Sequence, residues 1–276
     1  MRFVIACLIL VLPGLAAAQD QTRRPSHCIA IAEAPGLEVI HRASYGAPLP
    51  DAYTVRINFI DHAMFMIETA GGLRAVTDYA GFIGPVPLPD VVTMNHAHIT
   101  HWDPTPDPAI PHVLPGWAER VGEPVDHHLD LGEMLVRTVS TDIRSNGGGG
   151  VARNGNSIFV FEVGGLCIGH LGHLHHEPTP EQYAAIGRLD VVMAAVDGGL
   201  TVDIDTMIRI LSRLRSSVVI PMHWFGEHTL QRFVDGMSDE FAVERTGATS
   251  LEVSLATLPR RPTLVVLSPR YLTEPE

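Results

Sequence analysis

Three histidines, His96, His98 and His101, stand within six positions, directly behind the apolar run Val91-Val92-Thr93-Met94. A strand that runs into a short turn can aim alternate side chains at one point in space. Imidazole is the commonest metal ligand near neutral pH, because it binds through a neutral ring nitrogen. A strand followed by His-x-His-x-x-His therefore reads as half of a metal site. The same grammar returns twice. Leu166-Cys167-Ile168-Gly169 leads into His170 and His173, and an apolar run ending at Pro221-Met222 leads into His223. Ligands set at the ends of several strands are how α/β sheets build sites along one edge, so the fold must bring three strand ends together.

The rest of the pattern suits such a fold. Alternating or apolar runs predict strands at Thr54 to Ile60, Ala63 to Glu68 and Leu73 to Thr77, with Gly71-Gly72 as a hairpin signal between the last two. Gly81 to Pro89 and Asp103 to Pro115 are rich in proline and read as irregular. Further strands are expected at Met134 to Val139, Ser157 to Val163, Leu166 to Gly169, Asp190 to Val196 and Ser217 to Pro221. Helices are expected at Pro180 to Arg188, Ile204 to Leu214 and Leu230 to Met237. A β-meander followed by alternating strands and helices implies sheets covered by helices. No internal repeat is visible. The expected organisation is a leader at 1–18, a loop-like extension at 19–52 and one domain at 53–276.

Residues 1–18 read as a secretory signal: Arg2, an apolar stretch from Phe3 to Leu15, and Ala16-Ala17-Ala18 before Gln19. The apolar stretch is too short to span a bilayer, which needs roughly 20 residues. The expected location is therefore periplasmic or secreted, without stable membrane insertion. Removal of the leader with Cys7 leaves Cys28 and Cys167. In an oxidising compartment these could pair, although Cys167 between Leu166 and Ile168 equally reads as a buried small hydrophobe. The net charge of −12 argues against nucleic acid and anionic membranes as partners. All the basic residues are arginine, which rules out lysine Schiff-base chemistry.

The histidine clusters, taken with Phe59 to Glu68 and Val76-Thr77-Asp78 upstream, resemble the metallo-β-lactamase superfamily. The branch they resemble contains ascorbate-phosphate lactonase and N-acyl-phosphatidylethanolamine phospholipase D. The likeness covers roughly residues 54–225. It implies a four-layer αββα sandwich with metal at one edge of the sheets. The family pattern is His-x-His-x-Asp-His, then a His, an Asp and a final His. His96 and His98 fit its first metal position, and His101 and His223 its second. His173 would serve either, and Asp78 resembles the family aspartate that orients the ligand loop. Thr100 stands where the family has a ligand aspartate, and His173 where it has a bridging one. The isolated middle histidine has no clear match; Asp142 lies near its place. His175 and His176 are rivals of His173, while His112, His127, His128 and His228 read as surface residues.

An imidazole-rich donor set suits zinc, iron, nickel or copper and does not suit magnesium or calcium. Without carboxylate ligands it favours one well-held ion over two. The expected cofactor is zinc, as one or two ions, with another transition metal compatible. The expected protein is a metallo-hydrolase acting on a small molecule through an ester, lactone, amide or phosphodiester bond. A non-catalytic metal-binding protein and an all-histidine metal oxidoreductase are the alternatives. Substrate and oligomeric state are not readable from the chain.

Overall fold

The structure, a computed structural model, describes residues 23–30, 41–42, 45–145 and 150–274; the leader-like residues 1–18 lie outside these. Two sheets stack face to face. The first contains, in spatial order, β1 (His41–Arg42), β14 (Ser250–Val253), β2 (Val55–Asp61), β3 (Met64–Glu68), β4 (Arg74–Val76), β5 (Val91–Met94) and β6 (His112–Pro115). The second contains β13 (Ala242–Arg245), β15 (Thr263–Val266), β12 (Val218–Met222), β11 (Val191–Ala195), β10 (Leu166–His170), β9 (Val151–Val163), β8 (Met134–Arg144) and β7 (His128–Asp130).

The short strands β5, β10, β11 and β12 are buried along their whole length. Continuous Val, Ile, Met and Ala runs of this kind belong to parallel sheet covered on both faces. β4, β5 and β6 do run parallel, as do β10, β11 and β12. Parallel pairing carries the carboxyl ends of neighbouring strands to one edge, and the histidine clusters follow those ends.

Phe59, Phe65, Phe159 and Phe161 fill the space between the sheets. Helices α2 (Pro180–Ile186), α3 (Ile204–Leu214) and α4 (Glu227–Met237) cover the outer face of the second sheet. In α3 the spacing of Ile204, Met207, Ile210 and Leu211 puts one apolar stripe on that face, and Asp203 caps the first turn. A Thr179–Gln182 capping box opens α2. The outer face of the first sheet is covered by Tyr79, Ile83, Trp102, Trp117 and Leu272, all from loop segments. The helical layer therefore lies on one side of the described sandwich and a loop layer on the other.

Two differences from the pattern reading have physical causes. The proline-rich stretch 103–115 ends in a strand, β6, because proline is tolerated on an edge strand such as this one. β8 and β9 run on as a long ribbon to Arg144 and from Val151, through half-exposed residues that lack the apolar signal of a core strand. Near the amino terminus, α1 (His27–Ala30) is pinned to the second sheet. A Cys28–Cys167 disulfide joins it to β10. Ser26 Oγ and the His27 amide donate to the buried carboxylate of Glu162, which also takes Arg137 Nε at 2.8 Å.

Candidate metal centre

The site is a cup of imidazoles where the parallel strands end. His96, His98 and His101 occupy the loop after β5, tightened by two backbone turns, His98 N–H to His96 O (2.8 Å) and His101 N–H to His98 O (2.7 Å). Asn95 anchors the loop: its amide donates to Asp78 Oδ1 (2.8 Å) and its side chain to Ser157 O (2.7 Å). His173 follows β10 through Gly172, whose φ of +62° suits glycine. A Cβ at Gly172 would lie 2.3 Å from Asn95 Nδ2, so the two ligand loops approach as closely as they do only because this residue has no side chain. His223 follows β12, and its amide donates to His62 O (2.8 Å) in the β2–β3 turn.

All five histidines singled out in the sequence converge here. Ring centroids are 6.3 Å apart for His96 and His98, and 5.0 Å for His101 and His223. His173 sits between the pairs, at 5.5 Å from His96, 5.9 Å from His98, 4.7 Å from His101 and 5.3 Å from His223. Three rings are oriented by an oxygen behind them. His96 Nδ1 donates to Gly155 O (2.6 Å) and His101 Nδ1 to Asp78 Oδ2 (2.7 Å), while His223 Nδ1 lies 3.0 Å from Asp197 Oδ2. An oxygen acceptor at Nδ1 fixes the proton there and leaves Nε2 with a free lone pair.

The centre of the cup is a facing pair. His101 Nε2 and His223 Nε2 lie 3.0 Å apart, both buried. Asp78 takes the His101 Nδ1 proton, so His101 Nε2 presents a lone pair. Burial, then the neighbouring histidines, push that ring down to about 2, which keeps it uncharged near neutrality. His223 Nδ1 lies 3.0 Å from Asp197 Oδ2 without a well-aligned hydrogen bond, so in the metal-free protein His223 Nε2–H can donate to His101 Nε2. Two buried imidazole nitrogens this close are also placed to share a transition-metal dication, with the His223 proton then turned to Asp197.

The remaining histidines separate by the same logic. His170 Nε2 donates to Ala63 O (2.7 Å) and its Nδ1 accepts from Gly172 N–H (3.2 Å), so it is a satisfied core residue. His175 Nδ1 accepts from Arg144 N–H (2.8 Å), which places its proton on the unpartnered Nε2 and leaves no free lone pair for a metal. Asp142 accepts from Asn154 N–H (2.9 Å), a ribbon contact. His127 donates to Pro115 O (2.7 Å), and His128 lies against Arg24 O. Thr100, exposed, offers its hydroxyl to His98 Nδ1 at 3.2 Å.

Burial raises Asp78 to about 6, against the favourable Asn95 amide and neighbouring histidines. Asp197 has burial against it too. The adjacent His223 ring, with hydrogen bonds from the Thr201 hydroxyl and from the amides of Thr201 and Gly199, overcomes this and holds its carboxyl well below the usual range. Asp197 is a supporting residue that the sequence reading passed over. It stands at the end of an apolar strand, before Gly198-Gly199, in the same grammar as the histidines. His62 is another: its ring lies 3.9 Å from that of His223 and 5.5 Å from that of His101. His62, Asp78 and His223 all have positive φ, at 47°, 44° and 58°. Strained backbone of this kind gathers where a site demands it.

Known proteins place this architecture. The model of the β-lactamase superfamily domain matches residues 56–223, from β2 through the last histidine of the cup. A UPF0173 metal-dependent hydrolase of Nanoarchaeum equitans is 25% identical over 185 residues, covering 62% of this chain and 84% of that protein. Among solved structures, one described as a Zn-dependent hydrolase of the metallo-beta-lactamase superfamily from Thermotoga maritima aligns with a TM-score of 0.55 at 25% identity. It covers 77% of this chain and 98% of that one. A metal-dependent hydrolase structure from Parabacteroides distasonis shares the fold with a TM-score of 0.55 at 14% identity, over 79% of this chain and 94% of that one. With the family model spanning the strands and loops that build the cup, the chain belongs to the metallo-β-lactamase superfamily of metal-dependent hydrolases.

Proposed function

We propose that the protein is an exported zinc hydrolase of small molecules, cleaving an ester, lactone, amide or phosphodiester bond. The observation that carries the reading is the pair of opposed, carboxylate-backed Nε2 atoms of His101 and His223, 3.0 Å apart at the centre of the cup. His96, His98, His101, His173 and His223 would hold the metal. Nitrogen donors of this number suit zinc, and when bound it would supply Lewis acidity and a more acidic water. The chain's own contribution is positioning. Asp78 keeps the Nδ1 proton of His101 in place, and Asp197, 3.0 Å from His223 Nδ1, would take the His223 proton when metal is bound, so that both Nε2 lone pairs turn inward. Ile99 on the ligand loop, Leu200 beyond Asp197 and Phe225 beside His223 are exposed apolar side chains. They favour a substrate with a carbon-rich portion. Among the described residues no helix is long and apolar enough to cross a membrane.

Metal analysis of protein purified without an affinity tag, with chromogenic ester, lactone, amide and phosphodiester panels, tests this reading. Zinc with turnover of one class is expected. Iron or copper in place of zinc would favour an oxidoreductase, and zinc without turnover on any panel a binding protein. Export is supported by the leader pattern and by the Cys28–Cys167 pair. Mature protein from the native host should begin near Gln19 with no free thiol. An intact mass that retains Met1 would refute export.

A further inference from the structure

The family motif supplies its second metal position, the buried inner one of His101 and His223, with an aspartate just before the last histidine of the cluster. In this chain that residue is Thr100, which is exposed and turned to His98. The inner position is left with His101, His223 and a share of His173, although a zinc centre takes at least three protein ligands. A candidate lies beside these two rings. His62, His101 and His223 each present a ring nitrogen within 4.8 Å of the others. The Nε2 of His62 is buried and has no hydrogen-bond partner. A polar atom in that state costs about 1–3 kcal/mol, and the cost is tolerated where a ligand completes the site.

The backbone holds His62 for this purpose. It sits in the left-handed region (φ 47°), at the end of a strand whose register slips between Phe59 and Asp61. A bulge of this sort re-aims a side chain. The His62 carbonyl receives the His223 amide at 2.8 Å, so the two ligand backbones are tied to each other. Phe225 packs 5.3 Å from the His62 ring and 5.4 Å from that of His223. Burial, then the adjacent His223 and His101, push His62 down to about 3, so it stays neutral and able to bind metal.

We propose that His62 is a metal ligand of the inner position, joining His101 and His223 in the place the family motif gives to an aspartate. The span of 4.8 Å exceeds the about 3.3 Å between nitrogens of a tetrahedral zinc centre. Rotation of the imidazole about its side-chain bonds is the adjustment that closes it. The inference rests on the metal-centre reading above, and its test separates the two.

The experiment loads ¹⁵N-labelled full-length protein with ¹¹³Cd and reads scalar coupling to histidine ring nitrogens. Coupling to a ring nitrogen of His62, together with His101 and His223, is the expected result. His62→Asn, chosen because asparagine tolerates the left-handed backbone, should lose that coupling and weaken the inner ion at least 100-fold by chelator competition. His98→Ala should leave the His62 coupling in place. Coupling at His101 and His223 without His62, or a His62→Asn protein that binds as tightly as wild type, overturns the proposal and leaves the metal centre standing. Wild-type protein that takes up no ion overturns both. If His62→Asn fails to fold, the wild-type couplings alone decide.

Discussion

The two halves of the cup are built on different principles. The outer imidazoles, His96 and His98, ride on an open loop, half-buried and exposed respectively, and neutral oxygens back them: the carbonyl of Gly155 and the hydroxyl of Thr100. The inner imidazoles, His101 and His223, are 0% and 2% exposed and are backed by the carboxylates of Asp78 and Asp197. The chain has lost two aspartates expected beside the metal, yet it keeps two negative charges one ring farther out. A carboxylate behind an imidazole strengthens the ring as a donor and offsets part of the charge of a dication. The comparison teaches that anionic character has been moved rather than removed, and that it has been moved to the inner half alone.

Removing an inner carboxylate should therefore have the largest effect. Asp78→Ala deprives both the Asn95 amide and His101 Nδ1–H of their acceptor in a fully buried place. Each orphaned donor costs about 1–3 kcal/mol, so chemical denaturation should show a loss of about 2–6 kcal/mol, and chelator competition at least a 100-fold loss of the inner ion. His98→Ala should change stability by less than about 1 kcal/mol and weaken only the outer ion. Equal losses in the two variants would break the distinction between the halves.

Acid sharpens the same contrast in metal-free protein. His62 is lowered to about 3, His101 to about 2 and His175 to about 4, burial being the largest cause in each. Below about 6.5 the unfolded chain takes up protons that these folded residues refuse. The unfolded state then binds more protons, and stability falls as pH falls from about 6.5 toward 4. Asp78, raised to about 6, acts in the opposite direction: the folded state holds its proton more tightly, which favours folding as pH falls below about 6. His96, His170 and His173 are lowered as well, and Glu68 and Asp190 are raised with Asp78; six lowered imidazoles against three raised carboxyls leave a net loss. Thermal melts of the chelator-treated protein should drop continuously between pH 6.5 and 4.5. His101→Ala should remove about one proton from that slope, about 1.4 kcal/mol per pH unit. A flat melting temperature over this range would mean that the rings are not buried as described.

Much of this was legible in the chain. His96, His98 and His101 could be found because they sit close in sequence after an apolar strand, and His223 because Pro221-Met222 repeats that grammar. The parallel core strands were legible because a strand covered on both faces must be apolar throughout. β13 and β7 were not legible, because they are short and several of their residues face solvent, and β14, though mostly buried, is only four residues of mixed polarity. Asp197 and His62 were hidden for another reason. Their roles depend on which strand ends become neighbours, and contacts between segments distant in sequence leave no local signal: His62 meets His223, 161 residues on, only after two sheets have stacked. The loop cover of the first sheet was hidden likewise, since the residues on that face come from separate segments.

The smallest expected effect is also the most specific. Thr100 occupies the position of a family ligand aspartate, so restoring the carboxylate by Thr100→Asp would be expected from the motif alone to serve the inner ion. The geometry gives a different outcome. Thr100 is exposed, and its hydroxyl lies 3.2 Å from His98 Nδ1. A carboxylate there would do for His98 what Asp78 does for His101, giving the outer half the anionic backing it lacks. The gain is limited by exposure: charge-assisted contacts at the surface are worth about 0.2–1 kcal/mol and weaken with salt. Thr100→Asp should therefore tighten the outer ion by no more than about fivefold at low salt, less at 0.5 M salt, and leave the inner ion and the acid slope unchanged. Calorimetric titration of zinc into wild type and variant at two salt concentrations reads both quantities. If the inner ion gained affinity, or the stoichiometry rose, position 100 would face the cup after all, and the division between a neutral outer half and an anionic inner half would have to be redrawn.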